Sequence, residues 1–412
     1  MNPAIVIPTY WSKDADPGQL GGRGTYDYST PITKPLPELE NCLSSLERVR
    51  GVLRVIVLVV SESSCAVSAR ARVDSICRSH PSLNLLVIGD EEAAFVSHAL
   101  SRITRGLSGE TVSLRGYGAI KNMGLAVASV FGHDCVVFLD DDEVALDEDY
   151  LARAVYGLDS LTRQNLRILA KTGFYVDFAD SPYADIPYRW SERFWSKSSG
   201  FNEFMRQALF SKTRISRSTV LCGGCCAIHA AAFSKVPFDP YISRGEDLDY
   251  VLDLRAHGFD VWFDNEWSVR WQPPQEMAPV PTIFMQDVYR WLYEYRKLDV
   301  MNARQDLRTI TPGSLAPYPS EWITPGVRGR VYRTALRRAL SSRSREERAA
   351  YVDILHHGWR DADREARVTS SSYLSLVSVW PKVVTTLWND ALLQNRILGT
   401  GTPAHRRVET DA

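Results

Sequence analysis

The stretch FLDDDEV (Phe138 to Val144) sets Asp140, Asp141 and Asp142 side by side, directly behind the apolar run CVV. Adjacent carboxylates at a strand end repel one another, so either they fan into water at a turn or they hold a cation. Strand alternation sends Asp140 and Asp142 to one side of the strand end and Asp141 to the other. A second acidic group, Glu246, Asp247 and Asp249, opens the apolar helical pattern RGEDLDYVLDLRAHGFDVWF. Acids at that position favour the helix dipole, and an ordinary N-cap region accounts for them. In RGYGAIKNMGLA a glycine-containing turn feeds a helix with Lys121 and Asn122 in its first turns. With Arg115 and Lys121 close by, such a helix start suits a diphosphate. Cys222, Cys225, Cys226 and His229 in LCGGCCAIH have a superficial zinc spacing. Without a second CxxC or a distant His pair, small buried thiols in a tight turn account for them better.

These groups need a scaffold, and the chain supplies alternating periods. AIVIPTY (Ala4 to Tyr10), VLRVIVLVV (Val52 to Val60), LNLLVIG (Leu83 to Gly89) and DCVVF are short apolar runs of strand type. The nearly continuous, β-branched second run is expected of a strand covered on both faces. Between them, Leu36 to Val49 carries Leu39, Cys42, Leu43 and Leu46 at helical spacing, and Ala119 to Phe131 is helical. Strand, helix, strand, strand, helix, strand implies an open, mostly parallel α/β sheet. Ligands bind such sheets beyond the carboxyl ends of the strands, where the aspartates fall.

The chain has 412 residues, 45% hydrophobic and 24% charged, with a net charge of −1. That length can bury a large core, and two domains are expected. Near-neutral charge argues against nucleic acid as a partner. An apolar run near twenty residues is absent, so no membrane span is expected, and NPAIVIPTY reads as a core strand rather than a targeting segment. Seven cysteines in apolar contexts read as reduced thiols of a cytoplasmic protein.

Taken together, Pro8-Thr9-Tyr10, Ser61-Glu62, GAIKNMGLA, Asp140-Asp141-Asp142 and Glu246-Asp247 resemble, in order and spacing, the nucleotide-sugar-dependent glycosyltransferases of GT-A fold, especially family 2. The resemblance spans roughly residues 4 to 272. It implies a UDP- or GDP-sugar donor, an acceptor hydroxyl, and Mg2+ or Mn2+ held by one or two carboxylates and the phosphates. Asp142 would be the main metal ligand, and Asp140 would contact the ribose or metal-bound water. Pro8, Thr9, Tyr10 and Glu62 would hold the base, with Arg115, Lys121, Asn122 and Asp141 completing the donor site. Asp247 would be the general base of an inverting transfer, with Glu246 positioning the acceptor, and the helix dipole would lower the pKa of both. A retaining enzyme acting on a small acid such as glycerate or phosphoglycerate is the main alternative. Two departures stand out: SES replaces the usual two acids, and Trp271 or Gln272 stands where a late histidine ligand is expected.

The connection Trp11 to Leu39 is far longer than the usual two to six residues. Its GGRGTYDYSTPITKP faintly resembles the loop of sugar-1-phosphate nucleotidyltransferases, although Tyr26 replaces that family's Arg. A non-catalytic nucleotide-sugar-binding module is a third possibility. Trp190, Trp195 and Trp271 are candidate acceptor-stacking residues. Phe284, Val288, Trp291, Leu292, Tyr295 and Leu298 form one apolar stripe, so a helical C-terminal region is expected. The expected division is a GT-A domain over 1–280 (donor half 1–145, acceptor half 146–280), a helical region over 281–398 and a disordered tail over 399–412. Residues 328–348 hold eight arginines beside Val331, Ala335, Leu336, Ala339 and Leu340. They imply a docked amphipathic helix or peripheral contact with an anionic membrane at its inner face.

Overall fold

The structure is a computed structural model that describes residues 1–13, 26–101, 111–187, 189–272 and 280–400. Among them, the strands of the main sheet are β1 (Pro3–Ser12), β2 (Thr30–Pro31), β3 (Val55–Ser61), β4 (Leu85–Ile88), β5 (Cys135–Phe138), β6 (Glu143–Ala145), β7 (Ala170–Val176), β8 (Ile215–Ser218), β9 (Cys226–His229) and β10 (Val261–Trp271). The helices of the first half are α1 (Glu38–Leu46), α2 (Ala66–Ser79), α3 (Asp90–Leu100), α4 (Tyr117–Val130) and α5 (Tyr150–Val155). They continue as α6 (Lys197–Leu209), α7 (Ala230–Phe233) and α8 (Glu246–Ala256). The C-terminal helices are α9 (Val280–Asn302), α10 (Val327–Ser341), α11 (Arg345–Asp353), α12 (Trp359–Thr369), α13 (Ser372–Leu387) and α14 (Ala391–Thr400).

The sheet order is β4-β3-β1-β5-β9-β7-β10-β6, with β2 beside β1 and β8 beside β10. The strands β4, β3, β1 and β5 are all parallel and buried on both faces, as is usual for parallel sheets. Beyond β5 the sheet turns mixed: β9 lies antiparallel to both β5 and β7, and β6 and β8 run antiparallel to β10. The first strand outruns its expected end at Tyr10, because Trp11 and Ser12 pair with Thr30 and Pro31 of β2.

Alternation in β1 and β3 sends their side chains to two cores. Ile5, Ile7, Trp11, Val55, Val57 and Val59 enter one, together with α1, α2, α9 and α10. Ala4, Val6, Tyr10, Ile56, Leu58 and Val60 enter the other, with α3, α4, α13 and α14. The expected boundary near residue 280 therefore does not separate two cores. Trp380 Nε1 donates to the Phe233 carbonyl at 2.6 Å, and Tyr373 Oη donates to that of Pro237 at 3.0 Å. The helical region also reaches Thr400 rather than Leu398, and residues 401–412 lie outside the described residues. Residues 328–348 form two helices, not one, because the Ser344 side chain accepts from Glu347 N and starts a new helix at Arg345.

Candidate active site

β5 stops at Phe138, and the chain turns through Asp141 and Asp142 before β6 begins at Glu143. Strand alternation therefore does not sort the aspartates as expected, because they lie on a turn. Asp141, Asp142 and Glu143 are all buried, and Asp140 is the more open one at 30% side-chain exposure. Burial, with Asp140 adding, pushes the Asp142 carboxyl up to about 7, against hydrogen bonds from Trp271 and Tyr28. Burial likewise raises Asp141, with Asp142 next in weight, and Glu143, with Asp140 next. Trp271 Nε1 donates to Asp142 Oδ2 at 2.7 Å. An indole N–H is a donor only, so at the place of the expected late ligand Trp271 orients the carboxylate and cannot itself bind a metal.

Lys121, on the first turns of α4, is the ammonium that meets this cluster. Its Nζ lies 3.1 Å from Asp140 Oδ1 and 3.1 Å from the Gly223 carbonyl. Burial alone would depress it, but Asp140 and Glu246 reverse the effect and hold it above the ordinary lysine value. The turn Gly223-Gly224 crosses directly over the acids. A Cβ at Gly224 would fall 2.2 Å from Glu143 Oε2, and one at Gly223 would meet Asp247 at 3.4 Å. The residues read as a tight thiol turn are thus the wall joining both acidic groups. Their cysteines are free and buried, and His229 instead caps α7 by accepting from Ala231 N.

α8 begins behind Gly245, whose φ of 71° favours glycine. Glu246 is buried and Asp247 half-buried, with Asp247 Oδ1 accepting from Leu248 N at 2.7 Å. The expected lowering of both acids by the helix start fails at Glu246. Burial, joined by Asp247, pushes it up to about 8 even with Lys121 nearby. Desolvation of a buried carboxylate outweighs a half-charge at a helix end. Asp249 points away, into an ion pair with Lys297 at 2.6 Å.

At the rim beside β1, Tyr10 packs against Tyr26 (ring centroids 4.5 Å) and Tyr117 (5.9 Å). Tyr26 Oη accepts from Gly116 N at 3.1 Å, Tyr117 Oη accepts from Asp27 N at 2.8 Å, and Tyr28 Oη donates to Asp141 Oδ1 at 3.4 Å. The long connection thus returns over the site with Tyr26, which the sequence singled out only as the departure from the nucleotidyltransferase-like loop, and with Asp27 and Tyr28, which pattern reasoning passed over. Only the loop's unusual length pointed to them. Gly21, Gly22 and Gly24 of the nucleotidyltransferase-like signature lie outside the described residues.

The remaining predicted residues divide. Thr9 is buried beside Asp141, whose carboxyl it helps to lower. Pro8 is buried within β1 opposite Leu58, a strand position rather than a rim position. Glu62 and Arg115 are exposed at the rim, where Arg115 Nη2 donates to Ser63 Oγ at 3.2 Å. Asn122 is a clamp: its amide donates to the Thr111 and Phe238 carbonyls and accepts from Phe238 N at 2.8 Å, leaving it no free polar edge. Trp195 is core, packed edge-on to Phe284 and Trp322 with centroids 4.8 and 5.0 Å away. Trp190 is bound to α10 through Arg337, which donates to its carbonyl. Of the three tryptophans, Trp271 alone touches the acids.

Among the described residues, no group of three or more His, Cys, Asp or Glu is arranged to enclose a metal ion by itself. Asp140 and Asp142 offer the one-or-two-carboxylate set of an ion that takes its other ligands from phosphate and water. The buried carboxylates, facing a single ammonium, fit such a cation.

Fold and site together define an α/β protein with an acidic, tyrosine-rimmed cleft at the carboxyl ends of its parallel strands. No family model and no curated protein matches the chain. Among solved structures it is similar to a mannosyltransferase from Pyrobaculum calidifontis in complex with GDP-Man and Mn2+, with 14% identity, a TM-score of 0.46, and coverage of 92% of this chain and 86% of that one. It is similar also to GalNAc-T7 with UDP, GalNAc and Mn2+, with 14% identity, a TM-score of 0.40, and coverage of 72% and 50%. A glucosyl-3-phosphoglycerate synthase from Mycobacterium tuberculosis, in complex with Mn2+ and UDP-glucose, matches with 13% identity, a TM-score of 0.34, and coverage of 71% and 78%. At such scores the likeness carries no argument.

Proposed function

We propose that this chain is a glycosyltransferase of GT-A type that moves a sugar from a nucleotide-diphosphate donor to an acceptor hydroxyl with inversion, using Mg2+ or Mn2+. One observation carries this reading: at the carboxyl ends of parallel strands, buried Asp141, Asp142 and Glu143 stand beside half-buried Asp140, which meets Lys121, across a diglycine turn from Asp247. Asp142 and Asp140 would hold the ion, which when bound neutralises the charge that grows on a departing diphosphate. Lys121 sits at the N-terminal part of α4, where an anion is favoured. Tyr10, Tyr26 and Tyr117 offer aromatic faces and edges to a base, and the exposed side chains of Glu62 and Arg115 stand at the rim. Asp247 is the half-exposed carboxylate available to take the acceptor's proton, and Trp271 supports Asp142 on the acceptor side.

A thermal-shift screen of UDP- and GDP-sugars with and without Mn2+ tests the donor site. A ligand at about a hundred times its dissociation constant adds about 2.7 kcal/mol. No shift with any nucleotide sugar would sink the reading. Pyrophosphate formation from a nucleoside triphosphate and a sugar phosphate would replace it with nucleotidyl transfer. Donor binding without turnover would leave a binding module. Proton NMR of fresh product decides the stereochemistry: an α-linked product from an α-configured donor would assign retention.

A further inference from the structure

Helix α10 carries two apolar faces. Val327, Val331, Ala335 and Ala339 are buried against the body of the protein. On the adjoining arc, about 100° round the helix, Tyr332 (54% exposed), Leu336 (40%) and Leu340 (70%) recur at every fourth residue and face solvent. Isolated exposed leucines need no explanation, but a stripe of them along one arc does.

Cations border that stripe. Arg328, Arg330 and Arg338 are engaged by Asp363, Glu321 and Glu192. Arg333, Arg337, Arg343, Arg345 and Arg348 have no carboxylate partner among the described residues, and only Glu346 and Glu347 oppose them locally in sequence. Arg337 lies 4.4 Å over Phe194 and 5.5 Å over Trp190, and Trp190 is itself 55% exposed. At the first turns of the helix, Phe194, Pro325, Gly326, Gly329, Arg330 and Arg333 line an open cavity of about 540 Å3. Leucine, tyrosine and tryptophan edged by guanidinium groups with no carboxylate partner among the described residues fit a surface that is apolar beneath and anionic at its rim. A guanidinium pairs with a phosphate through two parallel N–H donors, while the aromatic rings suit the headgroup level.

We propose that the outer face of α10, with the turn that leads into α11, docks this protein on an anionic lipid surface, with Tyr332, Leu336 and Leu340 in the interfacial zone and Arg333 of α10, Arg343 of the turn and Arg345 at the start of α11 on lipid phosphates. No helix among the described residues is long and apolar enough to cross a membrane, so the contact lies along the surface. The charge excess favours lipid over a second copy of this chain, which would bring the same arginines to the same face.

The test is co-flotation of the full chain with vesicles of phosphatidylcholine alone or mixed with phosphatidylglycerol. Binding is expected only with phosphatidylglycerol and at low ionic strength, and it is lost in high salt. Leu336→Glu/Leu340→Glu and, separately, Arg333→Glu/Arg343→Glu/Arg345→Glu should each weaken it about tenfold or more. Both should keep the melting temperature and the nucleotide-sugar shift, since neither touches the acidic cleft. If a glutamate variant melts without a transition, Leu336→Ala/Leu340→Ala is measured in its place with the same expected direction. Absence of flotation at low salt, or wild-type flotation of the variants, overturns the proposal. So does a dimer in sizing experiments that the leucine variants dissolve.

Discussion

Asp142 is a buried acid whose side-chain donors among the described residues are an indole and a phenol, neither of them a cation. Removing it relieves repulsion among the acids, so Asp142→Ala should abolish metal-dependent turnover while the metal-free protein melts no lower. Full activity of that variant, or of the wild type in EDTA, would exclude the metal role. Asp247→Asn should cost about a hundredfold or more in turnover with donor binding preserved, as expected for loss of a general base. Glu246 makes a separate prediction about pH. Its folded value is about 8 against an ordinary 4.5, so between these values the folded state keeps a proton that the unfolded chain releases. Its contribution is fully present below the ordinary value and is lost as pH rises towards about 8. The metal-free melting temperature should therefore fall with pH across that window, and Glu246→Gln should flatten the slope. An unchanged slope would show that Glu246 is not the buried proton carrier.

Elements place these residues by close approach. In the first turn of α4, Gly118 suits more than a phosphate-facing backbone, for a Cβ there would fall 2.0 Å from the Asp239 carbonyl. Gly118→Ala should therefore cost about 1–3 kcal/mol by forcing backbone apart, read from denaturant melts. Four residues on, Asn122 ties the same helix to Phe238 and Thr111. The motif GAIKN thus sends Lys121 to the acidic turn at Asp140 and its neighbours into packing. α8 is seated from the other side. Lys297 of α9, fully buried, reaches Asp239 at 2.7 Å, Asp249 at 2.6 Å and Asp253 at 2.7 Å. Lys297→Met would leave three buried carboxylates without a cation and should destabilise by about 3 kcal/mol or more. A melt within 1 °C of wild type would show that the network is not needed.

At the scale of the molecule, the C-terminal helices complete the sheet's cover. Leu376, Trp380, Val383 and Leu387 of α13 and Leu393 and Ile397 of α14 share one core with β1, β3 and α4. A chain ending at Asn302 would bare that face, so it should aggregate or lack a cooperative melt, while the full chain melts in one transition. Independent folding of residues 1–302 would restore the two-domain expectation.

The strands, the first helices and the order of the acidic groups were legible from residues alone. Runs such as VIVLVV and the helical spacing of Leu39, Cys42, Leu43 and Leu46 report local burial, which depends on near neighbours. Lys121 stood out in the sequence as a cation in the first turns of a helix after a glycine turn, and its Nζ lies 3.1 Å from Asp140 Oδ1. What stands across the cleft was not legible. Gly223-Gly224 over Glu143, Trp271 on Asp142, Tyr28 on Asp141 and Lys297 behind α8 join positions separated by tens to more than a hundred residues. Trp195 and Trp271 carry the same side chain, yet one is core and the other holds a site carboxylate. Composition and period fix which face of an element is apolar; only the packed sheet decides which carboxylates share one desolvated space, and so which of them needs a counter-ion.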